Sequence, residues 1–166
     1  MKTRNDRDFC NLLACDSNIT IQKIPYFMYL MQAAGFNLSY RYSIRFDKIK
    51  SHGLISSLGD MVSLGYITNK YEITERGKEL LNNMFLTASD CDLCDEVLAY
   101  VENFDLEQLH LLCTVDIIVQ GELSSGGYEN LIKYKEDIIK TVKNLCKNFS
   151  YEDFDYSVGV FRKLRK

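Results

Sequence analysis

Apolar residues recur at helical spacing through most of this chain. Leu54, Ile55, Leu58, Met61, Val62 and Leu64 give residues 51–64 one apolar face, with Ser51, Ser56, Ser57 and Asp60 largely opposite. Gly65 follows, the residue that tolerates the left-handed backbone just past a helix end. Ile19 to Ala34 is another helical stretch, rich in Tyr and Met, which ends at Gly35. Pro25 lies inside it, so this helix either starts near Ile24 or kinks at the proline. A short helix is predicted from Asp6 to Cys15 with Phe9, Leu12 and Leu13 inward. Residues 89–101, 105–119 and 128–149 read as three more helices, and a last one opens at Ser150. Ser89/Asp92, Asp105/Gln108 and Ser150/Asp153 have the spacing of reciprocal N-terminal caps. The 105–119 segment is apolar nearly all round, as the central helix of a helical half should be. Gly121 to Gly127 reads as a flexible loop.

Period-two patterning is confined to two places. Tyr66–Thr68 and Tyr71–Ile73 favour strand, with Asn69-Lys70 as a tight turn between them. Thr74 then caps a helix carrying Leu80 and Leu81, with Gly77 in a first turn that excludes a bulky side chain. Phe36 to Phe46 also alternates, and is expected either to pair with this hairpin or to form an ordered loop. Helix, minimal hairpin, helix is the order of a recognition helix and wing. The predicted fold is therefore mainly α: a winged helix-turn-helix domain with a small β-hairpin wing over residues 1–87. A C-terminal helical bundle extension over residues 88–166 is expected to pack on it.

The segment LGYI…YEITERGKELL resembles the wing of many bacterial winged-helix proteins. More of the chain, from about Ile21 onward (IQKIPYFMYLMQAAGFNLSYRYSI, LEQLHLLCTVDIIVQ and FSYEDFDYSVGVFRKL), resembles the YwgA-like family of small bacterial and archaeal proteins. It is more distantly similar to Panacea-type antitoxin domains. Where that family has a Gly-Pro-Tyr-Ser-like turn, this chain has Ile49-Lys50-Ser51-His52. The resemblance implies fold and a bacterial setting rather than an activity.

Charge changes the picture by its placement. The 166-residue chain has a formal net charge of −3, yet residues 1–87 hold 11 Lys/Arg against 8 Asp/Glu and residues 88–166 hold 9 against 15. From Ala88 to Leu109 there are seven acids and no base. The winged half thus suits double-stranded DNA, and the acidic 88–109 stretch suits a protein partner. A homodimer is a further expectation for a regulator. No apolar run is long enough to span a bilayer. The charged start, MKTRNDRDF, has no leader-like apolar core, and six cysteines then read as reduced thiols in the cytoplasm.

The candidate DNA contacts follow from the docking of such a helix by its N-terminal end. Ser51, His52 and Ser56 are placed toward base edges. Arg41, Arg45, Lys48, Lys50 and Lys70 are placed toward phosphates, with Tyr40, Tyr42 and Phe46 interleaved. The competing reading is a solvated sheet edge over buried aromatics. The helix shows no Arg or Asn on its exposed face, so bidentate base contacts are missing. Cys91, Cys94, His110 and Cys113 have zinc-like spacing, but cysteines on apolar helix faces read more simply as small buried hydrophobes. No metal, other cofactor or catalytic residue is assigned. Asp90, Asp92, Asp95 and Glu96 read as a solvated helix start, and the Ser124–Gly127 loop lacks the Lys of a phosphate loop. The expectation is a non-enzymatic DNA-binding regulator of a bacterial or mobile-element locus. Its rival is a protein-interaction module, antitoxin-like or a phage-defence accessory subunit, that does not bind DNA.

Overall fold

The computed structural model describes residues 19–36, 38–45, 48–82, 88–122, 131–146 and 148–165. The helix expected over Asp6–Cys15, and with it Cys10 and Cys15, lies outside them, as do Phe46 and the Ser124–Gly127 loop. The elements are α1 (Ile24–Ala33), β1 (Ser43–Arg45), β2 (Lys48–Lys50), α2 (His52–Ser63), α3 (Glu75–Asn82), α4 (Ala88–Asn103), α5 (Leu106–Glu122), α6 (Leu131–Leu145) and α7 (Tyr151–Leu164). The chain is mainly helical with a small antiparallel two-stranded sheet. Among the described residues no helix is long and apolar enough to cross a membrane.

Pro25 fixes where α1 begins. It occupies the first turn, where its missing N–H costs nothing, so the helix starts at Ile24 rather than kinking. Gly35 (φ 98°) and Gly65 (φ 71°) end α1 and α2 in the same way. In each case the following N–H reaches back five residues, Phe36 to Met31 and Tyr66 to Met61, and closes the carbonyl end of the helix. The cap pairs read from sequence at Asp105/Gln108 and Ser150/Asp153 are both reciprocal hydrogen bonds. The helix at Ala88 begins one residue ahead of Ser89, and Gly121 extends α5 instead of opening the loop.

The segment before α2 does not pair with the wing: residues 38–42 form an ordered stretch outside any strand, one of the two expectations, and only Ser43–Arg45 is strand. Ser43–Arg45 pairs with Lys48–Lys50, in the register Ser43 to Lys50, Ile44 to Ile49 and Arg45 to Lys48. Upstream, Phe36, Leu38 and Tyr40 alternate inward. Gln32 on α1 holds this run by both ends of its amide, donating to the Tyr40 carbonyl (3.0 Å) and accepting from the Tyr40 N–H (2.9 Å). The Gln32 side chain of α1, rather than the wing, is what holds the segment. A hairpin therefore sits directly ahead of α2.

After α2 the wing-like turn is reduced to a single bridge, Ile67 to Ile73, with Tyr71 taking the left-handed conformation (φ 63°). Thr74 locks it. Its hydroxyl donates to the Gly65 carbonyl (2.7 Å) and accepts from the Gly77 N–H (3.1 Å). Gly77 is obligatory because a Cβ there would sit 2.3 Å from the Tyr66 carbonyl oxygen.

Two apolar cores share α5. The larger is built on α1, α2 and α4 with Ile49, Tyr66, Ile67 and the end of α7, so it draws on both sides of residue 87. The smaller lies between the second half of α5, α6 and the start of α7. Within α5, Asp116 is fully buried. Arg165 brackets its carboxylate from Nε (3.1 Å) and Nη2 (2.5 Å), and the Tyr29 hydroxyl donates to it at 2.5 Å. Helices α1, α5 and the end of α7 are thereby joined by one charge. Lys23 adds a second tie, donating to the Val101 carbonyl in the last turn of α4 (2.5 Å).

Removing Arg165 strands a buried carboxylate, whereas removing the charge of Asp116 leaves an arginine able to turn to water. Arg165→Ala should cost about 3–5 kcal/mol and Asp116→Asn less, about 1–3 kcal/mol, in denaturant unfolding; the reverse order would show that the carboxylate is not the group in need. Gly77→Ala should lower stability by about 1–3 kcal/mol through overpacking against backbone, and an unchanged unfolding midpoint would refute that close approach.

Candidate nucleic-acid interface

The hairpin β1–β2 presents two faces. Ile49 is buried and Ile44 packs on the smaller core. The alternate residues, Ser43, Arg45, Lys48 and Lys50, are exposed, and so is Arg41 two residues ahead of β1. Arg45 lies directly opposite Lys48. Like charges in that relation weaken a hairpin, by a part of the ~0.2–1 kcal/mol that such pairs are worth. Among the described residues, Arg41, Arg45, Lys48, Lys50 and Lys70 make no ion pair. Elsewhere Lys78, Lys135, Lys163 and Arg165 are each paired to an acid.

Helix α2 carries the other expected contacts, and here the structure corrects the sequence reading. Ser51 does not face outward. It is only 2% exposed, and its hydroxyl accepts the Leu54 N–H (3.3 Å) as the helix cap. His52 and Ser56 are exposed. Leu54, Leu58 and Met61 face the core as expected, but Ile55 is 57% exposed and Leu64 points largely to solvent. The exposed surface of α2 thus holds His52, Ser56, Ile55 and Asp60 beside the basic hairpin. Lys70 stands apart from these residues, at the turn of the Ile67–Ile73 bridge.

The cysteine and histidine set does not assemble. Among the described residues no three His, Cys, Asp or Glu side chains are grouped to hold a metal ion. Cys94 and Cys113 are packed into the larger core and Cys91 is exposed on α4. The spacing arose from apolar faces, not from ligation. Burial, and after it the Asp116 carboxylate, push the Cys113 thiol well above its ordinary value. That is the opposite of what a nucleophilic cysteine needs. His110 is buried, with Thr114 Oγ1 3.5 Å from its Nδ1.

The Asp116–Arg165–Tyr29 cluster was not read from sequence, although a signal existed. Asp116 is the one acid in the mostly apolar run from Leu109 to Val119, and a lone carboxylate buried there requires a partner. Its partner Arg165 is remote in sequence, and no spacing rule points to it.

No protein-family model, curated protein or solved structure matches the chain.

Beneath the hairpin, Tyr42 packs edge-on against Tyr29, at 5.0 Å between ring centroids. Its hydroxyl is buried without a hydrogen-bond partner. Burial raises the Tyr42 hydroxyl, and burial and then Asp116 raise that of Tyr29. Both ionise more readily in the unfolded chain than in the fold. The stability they contribute is therefore complete below the unfolded tyrosine value of about 10 and is lost as pH rises toward the higher folded values. Tyr42→Phe should raise stability by about 1 kcal/mol at neutral pH, since it removes an unsatisfied buried group, and should make the alkaline loss shallower. Unfolding at neutral pH and above about pH 10 checks both; a less stable variant at neutral pH would mean that the hydroxyl is satisfied.

Proposed function

We propose that this protein is a non-enzymatic, cytoplasmic DNA-binding regulator, of winged-helix type and allied to the YwgA-like proteins it resembles. One observation carries the proposal. Arg41, Arg45, Lys48 and Lys50 form an exposed basic strip, on and just ahead of a hairpin that places Arg45 opposite Lys48, with no ion pair among the described residues. A hairpin gains nothing from such a strip, whereas a phosphate backbone is attracted to it and releases counterions when it binds. His52 and Ser56 on the adjoining α2 supply the contacts nearest a groove. Ser51 is spent as the cap, so binding rests on phosphates more than on base edges, with little sequence preference. Order also supports the winged-helix type, since α2 is followed by the Ile67–Ile73 turn and then α3.

The rival interaction module draws support from α4, where Asp92, Asp95 and Glu102 are exposed. Glu96 on the same helix is not available in that way, because Lys163 pairs with it at 2.8 Å.

Duplex binding measured at about 50 and about 200 mM salt should weaken steeply, and Arg45→Glu, Lys48→Glu and Lys50→Glu should each weaken it similarly on unrelated sequences and lower the salt slope by about one. Absence of binding at the lower salt, or variants that bind as the parent does, would dispose of the regulator.

A further inference from the structure

The inner edge of the basic hairpin borders an open groove of about 1500 Å³, enclosed by the turn before α1, β1–β2, α2, the start of α5 and the end of α6. Small-molecule pockets run to about 300–1,000 Å³ and bury most of their ligand, so this groove is large and open for such a ligand. Part of its lining is exposed aliphatic side chain. Ile21 is 50% exposed, Ile55 57% and Leu106 37%, and each comes from a different element.

The charges around the groove are unequal in what they already do. Three acids line it, Asp105, Glu107 and Asp153. Asp105 and Asp153 are engaged as helix caps, accepting the Gln108 and Ser150 N–H groups. Glu107 sits in the first turn of α5, where the helix dipole favours an acid. The bases Arg45, Lys48 and Lys50 have no such local role and no ion pair with a described residue. The lining as a whole holds four bases, these three and Lys143, against three acids, and on the hairpin side its only charges are bases. Exposed aliphatic residues lie beside them.

We propose that this groove is a docking site for an amphipathic, acidic helical segment of a partner protein. Aliphatic side chains at i, i+3 or i+4 and i+7 would seat on Ile21, Ile55 and Leu106, in the manner of helix-in-groove recognition. Flanking Asp or Glu side chains would meet Arg45, Lys48 and Lys50. Nucleic acid has the charge but not the aliphatic side chains, so it matches the bases and not the aliphatic residues. The same three bases face phosphate in the proposed function, so peptide and DNA would exclude one another there. The docking itself does not rest on DNA binding.

The test is selection from a displayed random-peptide library on the intact protein. The expected result is enrichment of peptides with that apolar spacing and acidic flanks. The best of them, made synthetically, should lose about tenfold or more in affinity on Ile55→Ser and on Leu106→Ser, the loss typical of truncated interface anchors. It should weaken with Lys48→Glu, and it should be indifferent to Ile132→Ser, a change at an exposed apolar residue on α6 outside the groove. Circular dichroism confirms that each variant is folded. The proposal is overturned if no peptide is enriched, or if the enriched peptides lack the pattern or ignore Ile55 and Leu106. It is equally overturned if the protein is a dimer that Ile55→Ser dissociates, which gives the groove to a second copy, or if a short duplex binds with the same dependence on Ile55 and Leu106. A failed selection beside intact, salt-sensitive DNA binding removes the docking site and leaves the regulator standing.

Discussion

A carboxylate with no access to water governs how this fold closes. Asp116 lies on the central helix α5, where both apolar cores meet, and its charge is tolerable only with full coordination. The coordination comes from two distant elements, Tyr29 of α1 and Arg165 at the end of α7. Displacing either partner would leave a bare charge in an apolar interior, so the cluster adds to close packing a further penalty for any shift among these three helices. The neighbouring rings of Tyr42 and Phe161 pack against Tyr29 and fix its orientation in turn.

Helix α1 also holds the approach to the hairpin. Gln32, on the same helix as Tyr29, holds the backbone at Tyr40, and the alternation beyond it turns Ile49 inward and Arg45, Lys48 and Lys50 outward. Three bases of the bundle are paired, Arg165 with buried Asp116 and, at the surface, Lys163 with Glu96 and Lys135 with Asp155. On the hairpin no base has an ion pair with a described residue, and Arg45 stands opposite Lys48 at a cost to strand pairing. The groove opens beside this hairpin.

Local chemistry was largely legible along the chain. Helix spacing located the main helices, and the caps at Asp105 and Ser150, the stops at Gly35 and Gly65 and the close approach at Gly77 all follow from short-range rules. These effects act within one turn or one hairpin, so a few neighbouring residues suffice to predict them. The misreadings share the opposite character. Ser51 was placed toward a ligand and Ile55 toward the core because a helical wheel gives two faces but not the depth at which each residue stands. For the segment before α2 the pattern leaves open pairing with the wing or an ordered loop, and its strand pairs instead with Lys48–Lys50, because strand pairing is a choice between segments, not a property of one.

What the amino-acid sequence by itself determined is the set of helices, their ends, and the uneven division of charge between the two halves. Tertiary structure alone decided which charges are used up. Arg165 and Lys50 are indistinguishable as basic residues in a sequence; one is committed to a buried acid and the other stands free on a hairpin. The same holds for the cysteines, whose metal-like spacing dissolves once Cys94 and Cys113 pack into a core. The physical reason is common to both. Whether a polar group is satisfied depends on what lies within a few ångströms of it, and across a folded chain those neighbours are set by packing between remote segments rather than by order along the backbone.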